Sequence, residues 1–188
     1  MNSTEYQFEE VIPVGKANLL SFLLLIPIVL IAVIPFVILF GTSPLVSGFN
    51  TLQNNLLVVL AGLLVLIVIH EGLHGITWAF FAKTGLKSIS FGIKWAYLTP
   101  YCHCNEPLKR KHYILGGIMP GLVTGIIPLI VSYINANGWL LLVSVFLIAT
   151  AGGDFLVLFR TLKYPSTYIF FDHPTEIGFI ANKNHSVS

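Results

Sequence analysis

Charge is what this chain most lacks. Only 10% of its 188 residues are Asp, Glu, Lys or Arg, where a soluble domain carries about 25%. Hydrophobic residues make up 55%, and mean hydropathy is +0.84. A soluble fold of this length leaves roughly a third of its chain's surface wet, too much for so apolar a composition. These figures exclude an ordinary cytosolic or secreted globule, and they exclude intrinsic disorder. A formal net charge of +2 gives no basis for nucleic-acid binding. Cysteine is nearly absent as well. Cys102 and Cys104 are too few and too close for a disulfide framework. What remains is a mostly α-helical integral membrane protein, a single domain over residues 1–188.

Long apolar runs, by contrast, abound. Four are long enough to cross roughly 30 Å of hydrocarbon. They cover about 18–40, 55–82, 113–134 and 139–159. The first holds Pro27 and Pro35 and is expected to kink; it is too long for a signal peptide. The third is loosened by Gly116, Gly117, Pro120, Gly121, Gly125 and Pro128. The connections Gly41 to Asn54 and Asn135 to Gly138 carry no charge, whereas Lys83 to Lys111 holds six basic residues against Glu106. Positive charge stays cytoplasmic. A multi-pass protein of the cell membrane is therefore expected, with both termini and the basic segment in the cytosol. The amino terminus has little positive charge of its own, so its placement follows from the even number of spans.

Between the second and third spans the periodicity changes. From Leu86 to Cys104, Ser88, Ser90, Gly92, Lys94 and Ala96 alternate with Ile89, Phe91, Ile93, Trp95 and Tyr97. Period two is a strand signature, so a small β-hairpin at the cytosolic face is expected over about 86–104. The segment 160–188 is expected to be a cytosolic tail, with a turn at Asp172-His173-Pro174.

The chemistry-bearing residues lie inside the second span. Ile69-His70-Glu71-Gly72-Leu73-His74 contains His-Glu-x-x-His. Residues i and i+4 share a helix face, so His70 and His74 can reach one metal ion. Glu71 points about 100° round the turn, where it can take a proton from water without being a ligand. Three ionisable groups at bilayer depth need a partner, since each costs about 2.5–3.5 kcal/mol or more there. One zinc ion satisfies all three. A catalytic zinc site keeps three protein ligands and an open position. Asp154 is the ionisable residue of the fourth span. It lies 15 residues past Trp139, as His70 lies 15 past Asn55, so both sit about 22 Å from the outer surface. Asp154 is the expected third ligand, with the alternative that it pairs with Arg160 or a helix end. Gly152 and Gly153 before it allow close helix approach. Cys102-His103-Cys104 is an incomplete metal site, because the two sulfurs face one way on a strand and His103 the other. Trp78, Trp95 and Trp139 fit an interfacial belt.

At these residues the sequence resembles the site-2 protease class of intramembrane zinc metalloproteases. More closely, it resembles the DUF3267 family of bacterial zincin peptidases. Ser90-Phe91-Gly92, the run from Pro100 to Leu108, and Asp172-His173-Pro174-Thr175-Glu176 carry that closer likeness, over about 68–178. The resemblance implies a zinc peptidase in a bacterial membrane, with His70, His74 and Asp154 as ligands and Glu71 as general base. It departs from site-2 proteases in three ways. The glycines precede Asp154, no Asn-x-x-Pro is present, and no PDZ-like domain fits.

The expected activity is hydrolysis of peptide bonds in membrane-associated protein or peptide substrates. A substrate helix must first unwind, because its carbonyls are tied up internally. The hairpin can then hold it as an added strand, with Phe91, Ile93 and His103 as candidate substrate-binding residues. The competing reading is a non-hydrolytic membrane protein, an ion pathway or silent scaffold using the same His/Glu/Asp cluster. Expected partners are the substrate and the lipid bilayer, not nucleic acid; a homo-oligomer is left open.

Overall fold

The computed structural model of the chain describes residues 7–95, 99–174 and 176–183. Ala96, Tyr97, Thr175 and the last five residues, on which sequence expectations fall, lie outside these. In chain order the elements are β1 (Gln7–Ile12), α1 (Val14–Phe40), α2 (Ser43–Asn54), α3 (Leu56–Phe81), β2 (Ile89–Lys94), β3 (Thr99–Cys104), β4 (Leu108–Lys109), α4 (Arg110–Pro120), α5 (Ile127–Ile134), α6 (Gly138–Thr150), α7 (Gly152–Thr161), β5 (Tyr168–Asp172) and β6 (Ile177–Lys183). A π-helical stretch, Gly121–Ile126, joins α4 to α5.

The fold is mostly helical with small sheets. Three helical stretches are long and apolar enough to cross a bilayer: Val14–Phe40, Leu56–Phe81 and Arg110–Ile134. The fourth expected span is two helices, α6 and α7, bent by 45° at their junction. Side chains such as Leu57, Val58 and Phe80 are more than 70% exposed. In a chain this apolar, that is surface for lipid. The chain is thus a membrane protein with three such helices, or four if the bent pair is one span.

Contacts divide the chain into two compact units, residues 18–70 with 120–153, and residues 1–17, 71–119 and 154–188. In the former, Phe36, Leu141, Val145 and Ala32 form the core, and the Tyr133 hydroxyl donates to the Ala32 carbonyl at 2.6 Å. α1 runs unbroken through Pro27 and Pro35. The connection after α1, read from sequence only as an uncharged loop, is the helix α2. Pro44 sits in its first turn, where a missing N–H costs nothing. α2 lies directly on the start of α6. A Cβ on Gly48 would come 2.3 Å from the Trp139 nitrogen, and one on Gly138 would come 2.1 Å from the Pro44 carbonyl oxygen. Gly152 similarly faces Ser21 of α1.

The other unit holds both sheets. β2 and β3 form the antiparallel hairpin that period two predicts, with Phe91 opposite Cys102 and Ile93 opposite Pro100. The second sheet was not expected from sequence. Its order is β1-β6-β5-β4, so strands from near both ends of the chain pair side by side, with Phe8 opposite Ala181. Gly178 is required there. Its φ is +150°, and a Cβ would meet the Glu10 carbonyl oxygen at 1.9 Å. Asp172-His173-Pro174 begins the turn between β5 and β6. Phe170, Phe179, Leu108, Tyr113, Trp78 and Cys104 make the core of this unit.

Candidate metal centre

The sequence near His70 forms a helix because a long apolar run without proline surrounds it. α3 therefore carries His70, His74 and Trp78 at intervals of four, in one stripe. The division between the two units passes between His70 and Glu71, inside this one unbroken helix. His70 and His74 are 8% and 5% exposed. Asp154 lies in the first turn of α7, where the positive end of the helix dipole favours a carboxylate.

One ligand atom each from His70, His74 and Asp154 lie within 4.8 Å of one another. His74 Nε2 is 3.4 Å from Asp154 Oδ2. Donors about 2.0–2.1 Å from a tetrahedral zinc ion stand about 3.3 Å apart, so that pair already has the spacing of two ligands of one ion. Two imidazoles and a carboxylate are also one of the donor sets that hold a catalytic zinc. By spacing, burial and chemistry, these residues fit a metal ion.

The orientation of His74 is fixed from behind. Its Nδ1 is 2.9 Å from the Gly116 carbonyl. A carbonyl only accepts, so Nδ1 carries the hydrogen, and Nε2, on the side of Asp154, is the nitrogen that can offer a lone pair to an ion. The ring stacks on Trp78, with centroids 5.1 Å apart and planes 17° apart. A Cβ on Gly116 would lie 2.1 Å from the Trp78 indole, so glycine is what lets this carbonyl reach the histidine. Trp78 is thus no interfacial residue, as the sequence suggested, but a buried one, 6% exposed. Its place in the i, i+4 stripe was the available signal. Nothing local marked Gly116.

Glu71 is half-buried between the two histidines. Its charge reaches the Cys102 thiol on β3, which burial first and Glu71 second push well above the ordinary thiol value of 9.0. Burial likewise raises Cys104. Thiols held in that direction are poor metal ligands. Among the described residues, His70, His74 and Asp154 form the one group of three donors close enough to hold an ion.

The three candidate substrate residues separate. Phe91 and Ile93 lie on β2, 59% and 43% exposed. The Phe91 ring rests on α3, 2.7 Å from where a Cβ of Gly75 would stand, one residue past His74. His103 turns instead to Asp172, with Nδ1 3.9 Å from its Oδ2. Asp172 also accepts from the Cys104 backbone N–H at 2.8 Å and the Tyr113 hydroxyl at 2.7 Å. Burial raises its carboxyl, with these donors pulling the other way. Glu106 sits apart, accepting from the backbone N–H groups of Lys83 and Thr84 at the end of α3.

Neither the curated proteins nor the solved structures yield a match. A family model does, over residues 63–169, more than half of the chain. Its span contains the His-Glu-x-x-His turn, the hairpin, Gly116 and Asp154. With the His-Glu-x-x-His turn, the carbonyl behind His74 and Asp154 all inside the matched region, the chain belongs to the DUF3267 family, described as "Putative zincin peptidase".

Proposed function

We propose that this chain is an intramembrane zinc metallopeptidase that hydrolyses peptide bonds of membrane-associated substrates. The observation that carries this reading is the buried His70, His74 and Asp154 group, with Glu71 between the histidines on the same helix. Family membership supports it. His70, His74 and Asp154 would hold the zinc ion, which when bound would supply Lewis-acid polarisation of a water and of the scissile carbonyl. Glu71 takes the proton of that water on its carboxylate and passes it to the departing amine. Gly116 and Trp78 keep the His74 lone pair aimed while this happens. Both termini and the hairpin lie on the cytosolic side in this proposal, by the charge of their flanks.

The substrate adds to β2 as a strand. Asn105 N–H donates to the Ser88 carbonyl at 2.7 Å, which sets the hairpin's hydrogen-bonded pairs at Ser88–Asn105, Ser90–His103 and Gly92–Tyr101. The backbone N–H and C=O groups of Phe91 and Ile93, with the Ile89 carbonyl, then point away from β3; the Ile89 N–H already donates to the Leu86 carbonyl. Among the described residues no strand pairs with that edge of β2. An unwound substrate needs such a row of donors and acceptors. The edge lies beside α3 through the Phe91–Gly75 contact.

Metal analysis of the purified protein tests the reading. We expect one zinc per chain, lost in His70→Ala and Asp154→Ala. Glu71→Gln should keep its zinc and lose cleavage of membrane substrates by a factor of at least about 100. Zinc retained in both ligand variants would overturn the ligand assignment. Full cleavage by Glu71→Gln would overturn the mechanism. Zinc without cleavage by the wild type would leave a silent scaffold.

A further inference from the structure

We infer that Asp172, at the end of β5, is a positioning residue for the metal centre. Its one carboxylate clamps both Tyr113, which backs Trp78 behind His74, and the hairpin beside it. The inference rests on the metallopeptidase reading above and goes beyond its four named residues.

The clamp is built from two faces of contact. Phe170 and Asp172 alternate along β5, so they share one face of the strand. Phe170 stacks on the Tyr113 ring, with centroids 5.7 Å apart and planes at 22°. Asp172 Oδ1 accepts the hydroxyl of that same ring at 2.7 Å. Tyr113 is 3% exposed and is gripped by its face and its tip. On its other side it stacks on Trp78, at 5.7 Å and 16°, and its carbonyl accepts the Trp78 indole N–H at 3.1 Å. Trp78 in turn stacks on His74 and fills the space over Gly116, whose carbonyl holds His74 Nδ1. A run of near-parallel rings thus leads from β5 to the ligand. A rotation of Tyr113 displaces Trp78, and Trp78 is one of the two groups that orient His74.

Asp172 Oδ2 does a second thing. It accepts the Cys104 backbone N–H at 2.8 Å, on the edge of β3 that faces away from β2. The hairpin and the ring stack are therefore registered against one buried carboxylate, 10% exposed. No other group among the described residues is shown to bond both the hairpin backbone and Tyr113. An ordinary structural carboxylate would hold the fold but leave the metal's surroundings unchanged. This one sits where its loss is transmitted to a ligand.

The test uses the full chain loaded with zinc, or with cobalt for its visible spectrum. Tyr113→Phe removes one oxygen and nothing else. Asp172→Asn keeps the shape and removes the charge. Phe171→Leu perturbs β5 from its opposite face and serves as the structural control. Removing an outer partner of a metal ligand typically weakens the metal 10–100-fold. We expect Tyr113→Phe and Asp172→Asn each to weaken zinc, in competition with a chelator, by about 10-fold, and to shift the cobalt absorption. Phe171→Leu should lower the melting temperature and leave both readouts alone. The double variant should bind zinc no more weakly than the weaker-binding single variant, since both changes act on the Asp172–Tyr113 contact. If both single variants lower the melting temperature but bind zinc as tightly as the wild type, the inference fails and the metallopeptidase reading stands. If Asp172→Asn does not fold, Tyr113→Phe decides alone. A wild type that binds no zinc overturns the reading and this inference together.

Discussion

His74 illustrates, at the scale of one residue, how a candidate ligand is aimed. Its outer nitrogen is fixed by the Gly116 carbonyl and its ring face by Trp78, so the inner nitrogen has one direction left. Gly116 can do this only without a Cβ, which would meet the indole at 2.1 Å. Gly116→Ala must move either the tryptophan or the carbonyl. We expect it to weaken zinc about 10–100-fold, read by chelator competition. Unchanged affinity would show that His74 is oriented some other way. The histidine pair and Glu71 were legible in the sequence because their spacing is local, within one helical turn. Gly116 was not, because it lies 42 residues from the side chain it serves. Asp154 was reachable from sequence through depth alone, by counting along two apolar runs.

At the scale of the element, the hairpin combines a legible pattern with an illegible consequence. Period two predicts β2 and β3. Which edge stays open follows only from the register, in which Ser88 and Asn105 are bonded across the strands. Phe91→Pro removes one outward N–H and leaves the pairing with β3 intact. One such hydrogen bond is worth about 1–1.5 kcal/mol. Cleavage by Phe91→Pro should therefore fall about 10-fold with zinc content unchanged. Cleavage at the wild-type rate would remove the added-strand proposal. The bend between α6 and α7 belongs to this scale too. Composition shows an apolar run of spanning length over 139–159. It does not show that the run turns by 45°, placing Asp154 in the first turn of a new helix rather than in the middle of an old one. The glycines before it allow close packing, and Gly152 lies against Ser21.

At the scale of the whole chain, residues about 150 positions apart are joined. Glu10 on β1 accepts from Arg160 at 2.9 Å, Lys163 at 3.3 Å and the Tyr164 hydroxyl at 3.1 Å. Burial alone would raise the Glu10 carboxyl. The Tyr164 hydroxyl, Lys163 and Arg160 outweigh it and hold the group below the ordinary 4.5. A carboxyl depressed in the folded state contributes stability above its unfolded value and loses it as pH falls through the folded one. The contribution of Glu10 is thus complete above about pH 4.5 and disappears under more acid conditions. Thermal melting of the wild type should drop more steeply than that of Glu10→Gln between about pH 5 and pH 3. Parallel curves would show that this carboxyl does not secure the first strand. The four-stranded sheet it anchors escaped the sequence reading. β1 is a short, partly charged strand, and its partner β6 is more than 160 residues away. No local pattern reports a pairing across that distance.

The sequence by itself determined that the chain has helices long and apolar enough to span a bilayer, that one of them carries two imidazoles and a carboxylate on a single turn, and that a strand pair follows. Each of these is a property of composition or of a short period, which neighbouring residues settle among themselves. Tertiary structure alone decided that Asp154 meets His74, that a glycine carbonyl and a tryptophan ring aim that histidine, and that Asp172 holds Tyr113 behind them. Those contacts join segments whose meeting depends on how every intervening helix and strand packs, and no stretch of sequence encodes that locally.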